Sequence, residues 1–115
     1  MLHSASKGDV WEVDLPEGVG HEQKGERPAV VLVHVKESAT VVVIPLTGEL
    51  NSERFGFTYC VQVSKENGLS KESVALVFQI RALDPHRFLH KRCELDKKDM
   101  EAIDAILVDM LGLDK

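Results

Sequence analysis

Two cysteines, one tryptophan and one tyrosine among 115 residues leave this chain few of the devices that staple or anchor small proteins. Cys60 and Cys93 show no framework spacing, so a disulfide scaffold is set aside and two reduced packing cysteines are expected. Long apolar runs are missing as well. The longest, residues 29–33 and 41–44, fall far short of the roughly 20 residues that a bilayer-crossing helix needs. Residues 1–7 are short and polar overall and lack the apolar core of a secretory signal, which predicts a cytoplasmic protein with no membrane contact. There is no glycine-rich phosphate loop of the nucleotide-enzyme type and no serine in a nucleophile-elbow context. An excess of basic residues is also absent. The net charge of −5 counts against nucleic-acid binding unless a local patch outweighs the total.

What is present fits one soluble globular domain. With 43% hydrophobic and 29% charged residues, a chain of this length can bury enough surface to fold without staples. Residues 10–15 alternate, Trp11, Val13 and Leu15 against Glu12 and Asp14, which is the period of a half-buried strand. A polar stretch with Gly18, Gly20 and Gly25 follows over 16–27, long enough to predict a functional loop. Residues 28–35 and 40–46 are β-branched runs joined by a polar turn and read as a hairpin. After a polar connection, residues 57–63 alternate again. The Asn67-Gly68 turn signal precedes a further strand from 74 to 78, expected to continue to about 83, where Asp84-Pro85 breaks it. The period then changes: Met100, Ile103, Ile106, Leu107, Met110 and Leu111 share one helical face. Asp96 is the predicted N-cap and Gly112 the residue just past the C-terminus. The predicted architecture is mainly β with a C-terminal helix (α+β): a small antiparallel sheet or barrel, about 7–95, capped by a helix over about 96–111, in a single domain spanning 1–115.

Chemistry has few places to sit. His86, His90 and Cys93 have a superficially ligand-like spacing, but no fourth ligand accompanies them and Arg87, Lys91 and Arg92 surround them. A solvated turn with no metal is expected there. The loop Gly-His-Glu-Gln-Lys-Gly-Glu-Arg-Pro over 20–28 gathers a guanidinium, an ammonium, two carboxylates, an amide and an imidazole, and it leads directly into a buried strand. The fork of Arg27 matches phosphate oxygens, although composition alone leaves open a solvated loop whose charges pair with one another. Trp11, the only tryptophan, is either a core residue or a platform on which a base could stack.

At this point the residues resemble a known family. Residues 8–15, GDVWEVDL, look like the opening strand of MazF/PemK toxins. GHEQKGERP at 20–28 is similar to their G-S-E-Q-G-x-x-R-P signature. VIPLTG at 43–48 resembles their strand that ends in Thr or Ser. Gly68-Leu69, Ser73-Val74 and QIRALD at 79–84 match the later G-L…S-V…Q-I-R-x-[IL]-D segment. The motifs occur in family order and cover the chain from about Lys7 to Leu111. The resemblance implies an SH3-like antiparallel barrel of the MazF/CcdB type, a homodimer, and a toxin that cuts single-stranded RNA sequence-selectively and is neutralised by a MazE-like antitoxin. It assigns the family's key arginine and threonine to Arg27 and Thr47, its loop glutamine to Gln23, and candidate RNA contacts to Gln79 and Arg81. Lys24, in the same loop, is a further candidate contact. Two positions depart from the pattern: His21 replaces a small serine, and Phe78 stands where many relatives have Glu.

The implied reaction is metal-independent transesterification with no cofactor. A ribose 2′-OH attacks the adjacent phosphorus, which requires proton removal, stabilisation of the phosphorane charge and protonation of the leaving oxygen. Arg27 fits the charge-stabilising role, because a guanidinium keeps its proton in water and makes a poor base. Thr47 is expected to hold a phosphate oxygen. Glu22 or His21 is the expected proton acceptor, the imidazole having the more suitable ordinary pKa. The alternative is a non-catalytic toxin of the same fold, either a gyrase poison of the CcdB type or a weakly active antitoxin-binding member.

Overall fold

The computed structural model describes residues 2, 4–16, 24–65, 67 and 69–114. Seven strands precede one helix: β1 Asp9–Leu15, β2 Gly25–Val35, β3 Thr40–Thr47, β4 Thr58–Val61, β5 Ser73–Leu76, β6 Arg81–Leu83, β7 Phe88–Glu94 and α1 Lys97–Leu111. All pairings are antiparallel, in the order β4-β5-β3-β2-β1-β7, with β6 also on β3. The sheet therefore curls around a core, but no ladder among the described residues joins β4 to β7. The expected barrel is an open one.

Strands β2 and β3 lie at the centre, and their segments 29–31 and 43–47 are buried on both faces. Val30, Ile44 and Leu46 belong to one cluster with Val10, Met100 and Ile103 under the helix. Ala29, Val31, Val41 and Val43 belong to a second, with Val13, Leu15, Leu83 and Phe88. Burial on two sides explains why these strands read as continuous apolar runs rather than alternating ones.

Helix α1 follows its sequence signals closely. The Asp96 carboxylate accepts the Asp99 N–H at 2.9 Å, and Gly112 ends the helix at φ 68°, a left-handed value that suits glycine. Its apolar stripe covers the first cluster through Met100 and Ile103, with Ile106, Leu107 and Met110 packed alongside.

Three expectations are corrected. The strand β7, which pairs with β1, occupies the stretch read as a solvated turn around His90 and Cys93. Only its first residue is buried, and two register shifts against β1 interrupt the alternation, so no period of two was visible. Instead of one strand from 74 to about 83, a 3-10 turn at Val77–Gln79 separates β5 from β6. Leu46 faces Ala75 while Val43 faces Arg81, so three steps along β3 correspond to six on the partner; the turn absorbs the excess. Lastly, β4 is shorter than residues 57–63. Phe57 sits at φ 58°, outside a strand's range, and Val63 is half-exposed beyond its end.

Candidate active site

Arg27 is the third residue of β2, two positions past Gly25, rather than in the loop ahead of it. Gly25 has φ 81°, which turns the chain into the strand, and among the described residues, its chain neighbours aside, no atom lies within 4 Å of where its side chain would be. Arg27 pairs with Val13 on β1, and its Nε donates to the Lys24 carbonyl at 3.0 Å. That bond fixes the inner part of the guanidinium and does not use its terminal amines.

Thr47 is the last residue of β3. The β2–β3 ladder runs in unbroken register from Val31↔Val43 to Ala29↔Pro45. Ala29↔Pro45 is the last pair, two residues short of Arg27 on β2 and of Thr47 on β3; beyond it β3 pairs with β5 through Thr47↔Val74. The Thr47 side chain is buried. Its hydroxyl oxygen accepts the Glu49 N–H at 3.2 Å, which leaves the hydroxyl proton to donate elsewhere.

Where the strands part there is a cleft of about 260 Å³, lined by Arg27 and by both chain neighbours of Thr47, Leu46 and Gly48. This is slightly below the usual range for small-molecule pockets and suits one group rather than a whole ligand. Among the described residues its charged lining is Glu12, Glu26, Arg27, Lys71 and Arg92, three cations against two carboxylates. The cleft thus carries a local positive balance in a chain of net charge −5. Arg92 donates to Glu12 at 2.9 Å, so this pair largely cancels.

Lys24 is exposed at the cleft's approach and is not part of its lining. His21, Glu22 and Gln23 lie outside the described residues. Gln79 and Arg81 line a different cleft of about 280 Å³ with Phe78 and Ile80, which shares no residue with the first. Phe78 is partly exposed and meets Phe55 edge to face at 5.7 Å; Arg54 stacks over that second ring at 4.2 Å. Trp11 packs against the second cluster and touches Phe88 edge to face at 5.9 Å. Its buried indole N–H has no hydrogen-bond partner among the described residues, and the ring does not line the Arg27 cleft. His86 pairs with Asp84 at 2.6 Å, and among the described residues no group of three potential metal ligands comes together.

Sequence reasoning missed Glu12, Lys71 and Arg92. Lys71 and Arg92 sit in segments with no motif of their own, and only the strand pairings bring positions 12, 27, 48, 71 and 92 to one opening. A partial signal existed for Glu12, which occupies the polar side of the β1 alternation and pairs with Pro28 next to Arg27.

Residues 6–111 match the family described as PemK-like, MazF-like toxin of type II toxin–antitoxin system. The chain belongs to this family. It is 36% identical over 110 residues to a protein of Staphylococcus saprophyticus named endoribonuclease MazF, covering 93% of this chain and 91% of that one. Among solved structures, MazF from Deinococcus radiodurans superposes with a TM-score of 0.76 at 24% identity, covering 94% of this chain and 96% of the other. An endoribonuclease from a mycobacterial species, solved in complex with its cognate antitoxin, has a TM-score of 0.67 at 18% identity, with 96% of each chain covered. These structures share the toxin's fold. Among the described residues no helix is long and apolar enough to cross a membrane.

Proposed function

We propose that this toxin is an endoribonuclease that cuts single-stranded RNA sequence-selectively by 2′-OH transesterification, with Arg27 and Thr47 at the centre of the site. The observation that carries the reading is one cleft, positive on balance, that Arg27 shares with both neighbours of Thr47. It stands beside 36% identity to a protein named as an endoribonuclease.

In the proposed reaction the 2′-oxygen forms a bond to phosphorus while the bond from phosphorus to the 5′-oxygen breaks. The 2′ proton passes to His21 or Glu22, and a proton is returned to the 5′-oxygen. The products are a 2′,3′-cyclic phosphate and a free 5′-OH. Arg27 neutralises the charge that accumulates on the phosphorane oxygens, where a fixed cation in a partly dry site acts most strongly. The Thr47 hydroxyl donates to one of those oxygens. With this charge stabilisation supplied by side chains, the step needs no metal ion and no cofactor. Gln23, Lys24, Gln79 and Arg81 contact the flanking nucleotides. The protein acts in the cytoplasm as a single-domain protomer of a homodimer, and a MazE-like antitoxin holds it in check.

Incubation with a mixed RNA pool, followed by mapping of cut positions and end chemistry, tests the proposal. Recurrent sites with cyclic phosphate and 5′-OH ends are expected, at a rate unchanged by EDTA. Ends bearing 5′-phosphate, or loss of cleavage with EDTA, contradict it. The acid limb of the pH–rate profile separates the two proton acceptors, His21 and Glu22. His21→Ala abolishes that limb only in the first case.

A further inference from the structure

The Arg27 cleft holds a second cation whose position the reading above leaves unused. Gly48 follows Thr47 directly, and a Cβ at that position would lie 2.8 Å from the Lys71 Nζ and 3.0 Å from its Cε. The ammonium group therefore rests on the backbone beside Thr47, in space that exists because residue 48 has no side chain. Among the described residues Lys71 has no carboxylate within ion-pair distance, whereas Arg92, the other added cation, is tied to Glu12. Of the three cations in the lining, Arg27 and Lys71 are the two without a salt bridge among the described residues.

We infer that Lys71 is a catalytic residue that binds a non-bridging oxygen of the phosphodiester being cut, across the cleft from Arg27. This rests on the endoribonuclease reading and extends it. Two cations approaching from β2 and from the loop before β5 suit a dianionic phosphorane better than one, and a lysine can act there as a point charge. Gly48 has a role in the same arrangement. Its φ lies outside the left-handed region, so glycine is not required for backbone reasons. It leaves the ammonium room beside the backbone of the residue that follows Thr47.

The test uses a short RNA with one cleavage site, followed at limiting substrate over a range of salt concentrations. K71M is expected to lower kcat/KM by about 10–100-fold and K71R to retain most of the activity. The slope of log kcat/KM against log salt should become shallower by about 0.7 in K71M, the loss of one phosphate contact to a single strand. Gly48→Ala, which leaves the charge but displaces it, should resemble K71M, and the double variant should be no slower than K71M alone. Circular dichroism and melting of each variant should match the parent, since Lys71 is exposed. Wild-type rate and salt slope in K71M overturn the inference, as do fully additive effects of the two substitutions. A parent protein that leaves RNA intact overturns the endoribonuclease reading itself; cleavage by the parent with an indifferent K71M overturns the role of Lys71 alone.

Discussion

At the scale of single residues, the arrangement around Thr47 separates chemistry from stability. Thr47→Val removes the hydroxyl that accepts the Glu49 N–H and, in the proposed mechanism, donates to phosphate. It should cut cleavage by about 100–1,000-fold, the effect of losing one transition-state donor, and lower stability by roughly 1 kcal/mol through the unpaired N–H. Thr47→Ser should keep both. Single-turnover kinetics beside a denaturant titration distinguish the two losses.

A second residue-level pair lies away from the cleft. Tyr59 donates to Asp99 at 2.7 Å, joining β4 to the first turn of α1. Burial pushes the Asp99 carboxyl above its ordinary value, with Asp96 adding to the rise, although the Tyr59 hydroxyl pulls the other way. Burial also raises the Tyr59 phenol, to about 12, with the Asp99 hydrogen bond next in importance. Both groups hold their protons more tightly when folded. Their contributions are complete below the unfolded pKa and are lost as pH rises through the folded one. Relative to Asp99→Asn, the parent should lose stability as pH climbs above about 3.9. Relative to Tyr59→Phe, it should lose stability between pH 10 and about 12. Urea midpoints measured across these two windows check the signs. As for legibility, Arg27 stood out because its charge sits where a glycine-bearing loop meets an apolar run. Lys71 did not, because its neighbour Gly48 is 23 positions away in the chain and only folding joins them.

At the scale of elements, α1 was the most readable part. One face of period 3.6, an aspartate before it and a glycine after it all act locally, and all three appear in the structure. Asp96→Ala should therefore cost about 1 kcal/mol and lower Tm by a few degrees without touching RNA cleavage. The strands divided by environment. Strands β2 and β3, with segments 29–31 and 43–47 buried on both faces, announced themselves as valine-rich runs. The edge strand β7 offers one buried residue and meets β1 through two irregularities, so its sequence looks like a polar turn. Ala39, at φ 53° in the β2–β3 turn, shows the same limit. A left-handed alanine costs about 1–2 kcal/mol locally, and nothing in the sequence signals it. Ala39→Gly should offset part of that cost and raise the urea midpoint slightly.

For the whole molecule, the acidic balance was the main argument against a nucleic-acid substrate. The fold answers it by collecting Arg27, Lys71 and Arg92 from three separate strands and loops at one opening while leaving much of the negative charge elsewhere. Local potential rather than total charge governs encounter with phosphate. Family membership follows from motif order, but roles inside the cleft depend on pairing register, which a single sequence does not display. Those roles all converge on Arg27. The most direct measurement is single-turnover cleavage of single-stranded RNA by the parent, Arg27→Ala and Arg27→Lys in excess EDTA, with folding checked beforehand. The parent should cut at its EDTA-free rate, Arg27→Ala should be slower by at least about 100-fold, and lysine should not restore the lost fork. Cleavage by folded Arg27→Ala within a few-fold of the parent would contradict a phosphate-binding guanidinium at position 27.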